Sequence, residues 1–155
     1  ATEEYNGSSW TAGGNMGTTR EYAAACGIET AGLTMAGNPT PITNVEHYNG
    51  TAWSEQSAAT PSQLTSFGIS GTQTNALIFG GETPSATAAS FNYDGTTFAT
   101  SPSLGTARSS MGSPGPSGTS TSAICIAGYT STNVANTEEF TPETTAANIK
   151  DFTTS

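Results

Sequence analysis

One histidine, two cysteines, three Lys and Arg residues and twelve acids carry nearly all the acid–base, thiol and metal chemistry open to this chain of 155 residues. His47 precedes Tyr48 as Glu4, Asn92 and Glu139 precede Tyr5, Tyr93 and Phe140. A position that accepts Glu, Asn and His alike reads as a solvated strand position, not a general base. A lone histidine cannot build a two-His metal site, and no Cys/His cluster has ligand spacing. Glu3, Glu46 and Glu138 recur in register, and paired carboxylates are what glycoside hydrolysis needs. Recurrence in nearly every repeat instead marks a structural column. No catalytic residue, no metal and no cofactor is therefore expected. Cys26 and Cys125 fall in different repeats and read as small apolar residues, with a disulfide and the redox compartment left open. Asn6-Gly7-Ser8 and Asn49-Gly50-Thr51 match the N-glycosylation pattern, but a turn explains both more simply.

Charge narrows the partners. A net charge of −9 repels phosphate backbones and anionic lipid, and Arg20, Arg108 and Lys150 are too few to neutralise them. Neither nucleic-acid binding nor membrane insertion is expected. No apolar run approaches the roughly 18 residues of a spanning helix and no basic-plus-apolar leader is visible, so neither a transmembrane segment nor a signal peptide is expected. Low charge and 13 aromatic residues at ordered spacings argue against disorder, and abundant Thr suits a half-wet pleated surface.

Those aromatics belong to repeats. Tyr5-Asn6-Gly7-Ser8-Ser9-Trp10 returns as Tyr48-Asn49-Gly50-Thr51-Ala52-Trp53, as Tyr93-Asp94-Gly95-Thr96-Thr97-Phe98, and weakly as Phe140-Thr141-Pro142-Glu143. A second landmark moves with it: Leu33 to Gly37, Leu77 to Gly81 and Ile124 to Gly128. A third, fifteen residues after each tyrosine, holds Arg20, Gln63 and Arg108. The Asn-Gly and Asp-Gly pairs predict two-residue hairpins of type I′. Continuous runs such as Leu77 to Phe79 and Ile124 to Ile126 predict strands buried on both faces. Gly27-Ile28-Glu29-Thr30, Gly71-Thr72-Gln73-Thr74 and Gly118-Thr119-Ser120-Thr121 predict a tight link before each buried strand. Arg20, Gln63 and Arg108 are expected to bond carbonyls of the neighbouring repeat rather than to bind an anion.

The unit is thus four short strands in about 45 residues, the signature of a β-propeller blade. The chain is all-β and resembles the kelch repeat family, which couples Gly-Gly after a buried strand with a later Tyr and Trp. Only Gly80-Gly81 is a full doublet; Ala36-Gly37 and Ala127-Gly128 match by half. The reading gives about three and a half four-stranded blades: a half blade over 1–17 and blades over about 18–57, 62–101 and 107–153. Closed propellers typically need at least four blades. Either blades outside this sequence complete the ring, which is favoured, or another copy does. The resemblance also bears on chemistry. Galactose oxidases of the kelch type hold copper with several histidines, which this chain lacks. Sialidase-type propellers carry a Ser-x-Asp-x-Gly-x-x-Trp box, and Tyr5 and Tyr48 stand where its Asp belongs.

Tight links fall on one end of such a unit and long ones on the other: Asn38 to Ile42, Glu82 to Thr87, Tyr129 to Ala135, and the inter-blade links Ala12 to Thr19, Ser54 to Pro61 and Ala99 to Ala107. Ligands are expected at the long-loop end, where rigid scaffolds carry function. Asn38, Tyr129 and Asn133 are the candidate ligand residues. The texture of the repeats, with Gly-Thr-Gln-Thr before a buried strand, is similar to kelch-like proteins of marine bacteriophages. That resemblance implies a non-enzymatic virion or tail-fibre component, extracellular or on the virion, contacting other copies, other virion proteins or host-surface glycan. An intracellular kelch-type protein-interaction adaptor is the rival, and part of a secreted carbohydrate-active enzyme the third reading.

Overall fold

The computed structural model describes residues 1–39, 42–115 and 118–141, and the backbone of 149–152. Pro142 and Glu143 of the weak fourth repeat, the side chain of Lys150 and the 153 end of the last unit lie outside them. The described residues form 13 strands and no helix. β1 (Glu3–Tyr5) pairs with β2 (Trp10–Ala12). A four-stranded antiparallel sheet follows, β3 (Ala24–Ile28), β4 (Ala31–Met35), β5 (Asn44–Tyr48) and β6 (Trp53–Ala59), paired in chain order. A second has the same order: β7 (Gly68–Thr72), β8 (Asn75–Phe79), β9 (Ser90–Tyr93) and β10 (Phe98–Ser101). The last sheet holds β11 (Ala123–Tyr129), β12 (Asn133–Phe140) and β13 (Ile149–Phe152).

Burial follows from stacking these sheets face to face. On β8, Ala76 and Ile78 point into a cluster with Leu33, Met35 and Val45 of the first sheet. Leu77 and Phe79 point the other way, onto Ala123 and Cys125 of the last. Successive strand residues face opposite sides, so a strand sandwiched between two sheets must be apolar throughout. The expectation holds for β8 and fails for Ile126 of β11, which is 45% exposed because no described sheet lies beyond it.

First strands of neighbouring sheets also meet. Cys26 Sγ lies 3.7 Å from the Thr72 carbonyl, and Gln73 Nε2 donates to the carbonyls of Gly32 (2.9 Å) and Tyr48 (2.7 Å). The next junction repeats the idea, with Gly71 N–H donating to Gly115 at 3.1 Å and Ser70 Oγ to Thr119 at 2.9 Å.

Several expectations need correction. The Asn-Gly loops have four residues, since Tyr5 pairs with Trp10 and Tyr48 with Trp53. Only the glycine takes positive φ (Gly7 95°, Gly50 89°, Gly95 95°), while the Asn or Asp side chain accepts the next backbone N–H groups. That is an Asx-type cap, which competes with the type I′ turn for the same dipeptide. Residues 54–59 and 99–101 are strand rather than connection, and Tyr129 and Asn133 pair directly across a three-residue loop. The strand expected after Arg108 is reduced to isolated bridges, Gly112 with Ile126 and Thr119 with Ser122. Pro114 lies between them, and proline donates nothing to a ladder.

The charged column is shifted too. Alignment on the left-handed residues Tyr22, Ser66 and Ser110 places Leu64, not Gln63, level with Arg20 and Arg108, each two residues earlier. Gln63 is exposed and Leu64 buried. Both arginines bond within their own sheet, not to the neighbour: Arg20 to the Ala36 carbonyl (2.9 Å) and to Glu46, Arg108 to the carbonyls of Ala127 (3.2 Å) and Asn136 (3.0 Å) and to Glu138. Glu46 and Glu138 of the glutamate column are buried structural partners, whereas Glu3 is exposed. Gly17 and Thr18 N–H groups close on Glu46, and Gly105 N–H on Glu138.

Candidate functional site

Two consecutive left-handed residues follow β4 and β8, Ala36 and Gly37 (φ 51° and 100°) and Gly80 and Gly81 (62° and 96°), and the equivalent pair in β11, Ala127 and Gly128 (56° and 116°), makes a bulge within the strand. After β4 and β8 the pair swings the chain out of the sheet, which costs little at glycine. At Gly37 a Cβ would also sit 2.7 Å from the Glu21 carbonyl, so the site excludes a side chain twice over. The next residue in each case, Asn38, Glu82 or Tyr129, is therefore delivered to the same end of its sheet. There it bridges back to Glu21, Thr65 or Ser109.

These ends are tied to one another. Gly37 N–H donates to Leu64 (2.9 Å) and Gly81 N–H to Arg108 (2.8 Å) of the following unit. Ser66 N–H donates to the Tyr22 carbonyl (3.0 Å) and Ser110 N–H to that of Ser66 (2.8 Å). Equivalent residues of three units thus form a backbone ladder, and groups placed on it are held in fixed relative positions.

Two polar grooves lie on this frame and share Asn38. One, of about 240 Å³, is lined by Asn38, Gln63, Thr65, Glu82, Thr83 and Pro84. The other, of about 490 Å³, is lined by Thr19, Arg20, Glu21, Asn38 and Pro39. Amide, hydroxyl and carboxylate groups converge there beside Pro39 and Pro84. Such a surface offers directional donors and acceptors to a polyhydroxylated ligand. The structure brings Asn38 to both grooves. It leaves Tyr129 (44% exposed) and Asn133 one unit beyond Glu82, outside either groove. Gln63, Glu82 and Glu21 line the grooves without having been candidates; Glu82 stands directly after the glycines as Asn38 and Tyr129 do, whereas Gln63 and Glu21 carry no such signal.

Elsewhere the reactive side chains are engaged in holding sheets together. His47 is half-buried and stands edge-on to Tyr93, with ring centroids 5.9 Å apart. The Tyr93 hydroxyl donates to the Gly95 carbonyl at 2.7 Å, so its single hydrogen is used and His47 Nε2, 3.1 Å away, is assigned as the donor to the phenol oxygen. Burial lowers the pKa of His47. Tyr48 reaches Glu4 of the preceding unit in the same way, and that carboxylate raises the pKa of the phenol. Amides and hydroxyls of Thr97 and Thr96 hold Asp94 well below the usual carboxylate range. Burial pushes the Cys26 thiol up to about 12 and raises that of Cys125; both are free and sit in separate clusters. Among the described residues no three His, Cys, Asp or Glu side chains gather as metal ligands, and no helix is long and apolar enough to cross a membrane. No protein-family model matches the chain, and no curated protein shows significant similarity to it.

Proposed function

We propose that this chain is a propeller-type structural or appendage protein of a bacteriophage virion, with no catalytic activity, whose long-loop end recognises host-surface glycan. The observation that carries the ligand reading is the groove bounded by Asn38, Gln63, Thr65 and Glu82, built on a backbone ladder shared by successive sheets. Its lining fits sugar hydroxyls, which need fixed donors and acceptors. The non-enzymatic reading is supported by where the titratable groups are. Glu46, Glu138 and Glu4 have fixed structural partners, and His47 acts as a clamp on Tyr93. The virion setting rests on the resemblance of the repeats to kelch-like phage proteins, and ring formation on the blade-like stacking of four-stranded sheets.

A glycan array probed with the purified chain tests the ligand reading, followed by the same array with Asn38→Ala and Gln63→Ala. Saturable binding to a glycan class that either substitution weakens at least tenfold is expected. Binding that is absent, or indifferent to both, removes the groove from the argument. Locating the chain in purified particles by mass spectrometry tests the virion setting separately.

A further inference from the structure

The sheet of β1 and β2 is an outer half. Its Tyr5–Trp10 pair is the counterpart of Tyr48–Trp53 and Tyr93–Phe98, the third and fourth strands of the complete sheets. In those sheets the third strand is covered by a second: β5 by β4, with Thr34 opposite Glu46, and β9 by β8. Among the described residues nothing pairs with the corresponding edge of β1. Tyr48 and Tyr93 are 3% and 0% exposed, whereas Tyr5 is 50% and Trp10 66% exposed. Glu3 stands in the column of Glu46 and Glu138, each buried against an arginine, yet Glu3 is exposed and has no arginine.

We propose that the β1 edge is a docking site for an arginine-bearing β-hairpin built like residues 20–37, whose second strand pairs with β1 and whose arginine pairs with Glu3. Strand addition supplies main-chain hydrogen bonds, and the side-chain column supplies the choice of partner. The choice is legible in the molecule itself. Where the column holds Glu (Glu46, Glu138) the inner hairpin is preceded by Arg (Arg20, Arg108). Where it holds Phe91 the hairpin is preceded by Leu64, and both pack in the apolar cluster. Glu3 therefore selects arginine over leucine. A second copy joined half-sheet to half-sheet would present strands of the outer kind, not the inner kind the edge lacks. The inference rests on repeat geometry and is independent of the glycan reading.

The test is a graft. Residues 15–43 are duplicated directly ahead of Ala1, so that the duplicated Thr43 abuts Ala1 as Thr43 abuts Asn44. The hairpin of residues 18–38 is also titrated as a synthetic peptide into the unmodified chain. Acrylamide quenching of Trp10, with Trp53→Phe as background, and amide exchange at β1 are read in both formats. Quenching should fall severalfold and β1 exchange slow at least tenfold. Replacing the arginine of the added hairpin by Leu should abolish most of that protection, and Glu3→Phe should restore it for the Leu hairpin. Unchanged Trp10 quenching in both formats overturns the proposal, as does equal protection by Arg and Leu hairpins. A dimer of the unmodified chain in sedimentation, with Trp10 already shielded and released by Glu3→Lys, assigns the edge to a second copy and also overturns it.

Discussion

Leu64 and Phe91 occupy in the second sheet the positions that a buried arginine–glutamate pair occupies in the sheets on either side. The loop has changed with them. Pro61 stands level with Gly17 and Gly105, whose N–H groups donate to Glu46 and Glu138. Proline has no N–H to donate, so removing the carboxylate leaves no orphan there. One scaffold thus tolerates two solutions to the same space, provided all three positions change together.

Breaking the ionic version halfway should be costly. Glu46→Leu strands Arg20 and the amides of Gly17 and Thr18, and loss of one partner of a buried pair typically costs about 3–5 kcal/mol. The triple variant Gly17→Pro, Arg20→Leu, Glu46→Phe copies the second sheet and should recover most of that loss. Urea unfolding of the single and triple variants checks it; a triple variant no more stable than the single one would show that the sheets are not interchangeable.

A missing hydroxyl accounts for an unsatisfied atom. Tyr48 bonds Glu4 and Tyr93 meets His47, each reaching the column residue of the preceding unit. The third such contact would join residue 140 to Asn92, but residue 140 is phenylalanine, and Asn92 Oδ1 is buried without a partner. Phe140→Tyr should stabilise the chain by about 1 kcal/mol, the usual net worth of a hydrogen bond. Thermal unfolding would show an increase in Tm; a fall would mean that the added oxygen finds no room.

How much of this was legible beforehand depended on what fixed each feature. The repeats announced the four-strand units because Tyr, Gly and the apolar run each answer a local demand of turn or pleat. The loops at Asn6 and Asp94 defeated the turn assignment because the side chain, and not the backbone dihedral alone, chose the closure. Counting from the tyrosine put Gln63 in the arginine column, since the units differ by single residues in their loops. Counting back from Tyr22, Ser66 and Ser110, which share one left-handed φ, gives Leu64 instead. Asn38 was legible as a groove residue because it is an amide that opens a long loop. Glu82 shares the position after the glycines with Asn38, but Gln63 joins them only through contacts between units, which no local pattern carries.

Asn38 and Tyr129 give a contrast within the ligand reading. Both follow the left-handed pair, but Asn38 lines the two grooves described and Tyr129 lies outside them. Asn38→Ala should reduce glycan or host-cell adsorption at least tenfold, while Tyr129→Ala changes it little. The reverse result would move the site to the last sheet.

His47 should make stability sensitive to acid. Its folded pKa is lowered by burial, so the unfolded chain binds the proton more readily. Above the ordinary histidine value of about 6.5 both states are neutral and the group contributes no pH dependence. As pH falls below that value, the unfolded state gains protons first and stability declines, levelling only beneath the folded pKa. Protonation need not break the contact with Tyr93, because Nε2 remains a donor; the penalty is the charge placed in a half-buried site. His47→Gln retains a donor and cannot titrate. Its stability should therefore fall less than that of the parent between pH 7 and 5, the carboxylates being common to both. Parallel slopes for the two proteins in urea unfolding across that range would show that the imidazole is as well solvated folded as unfolded.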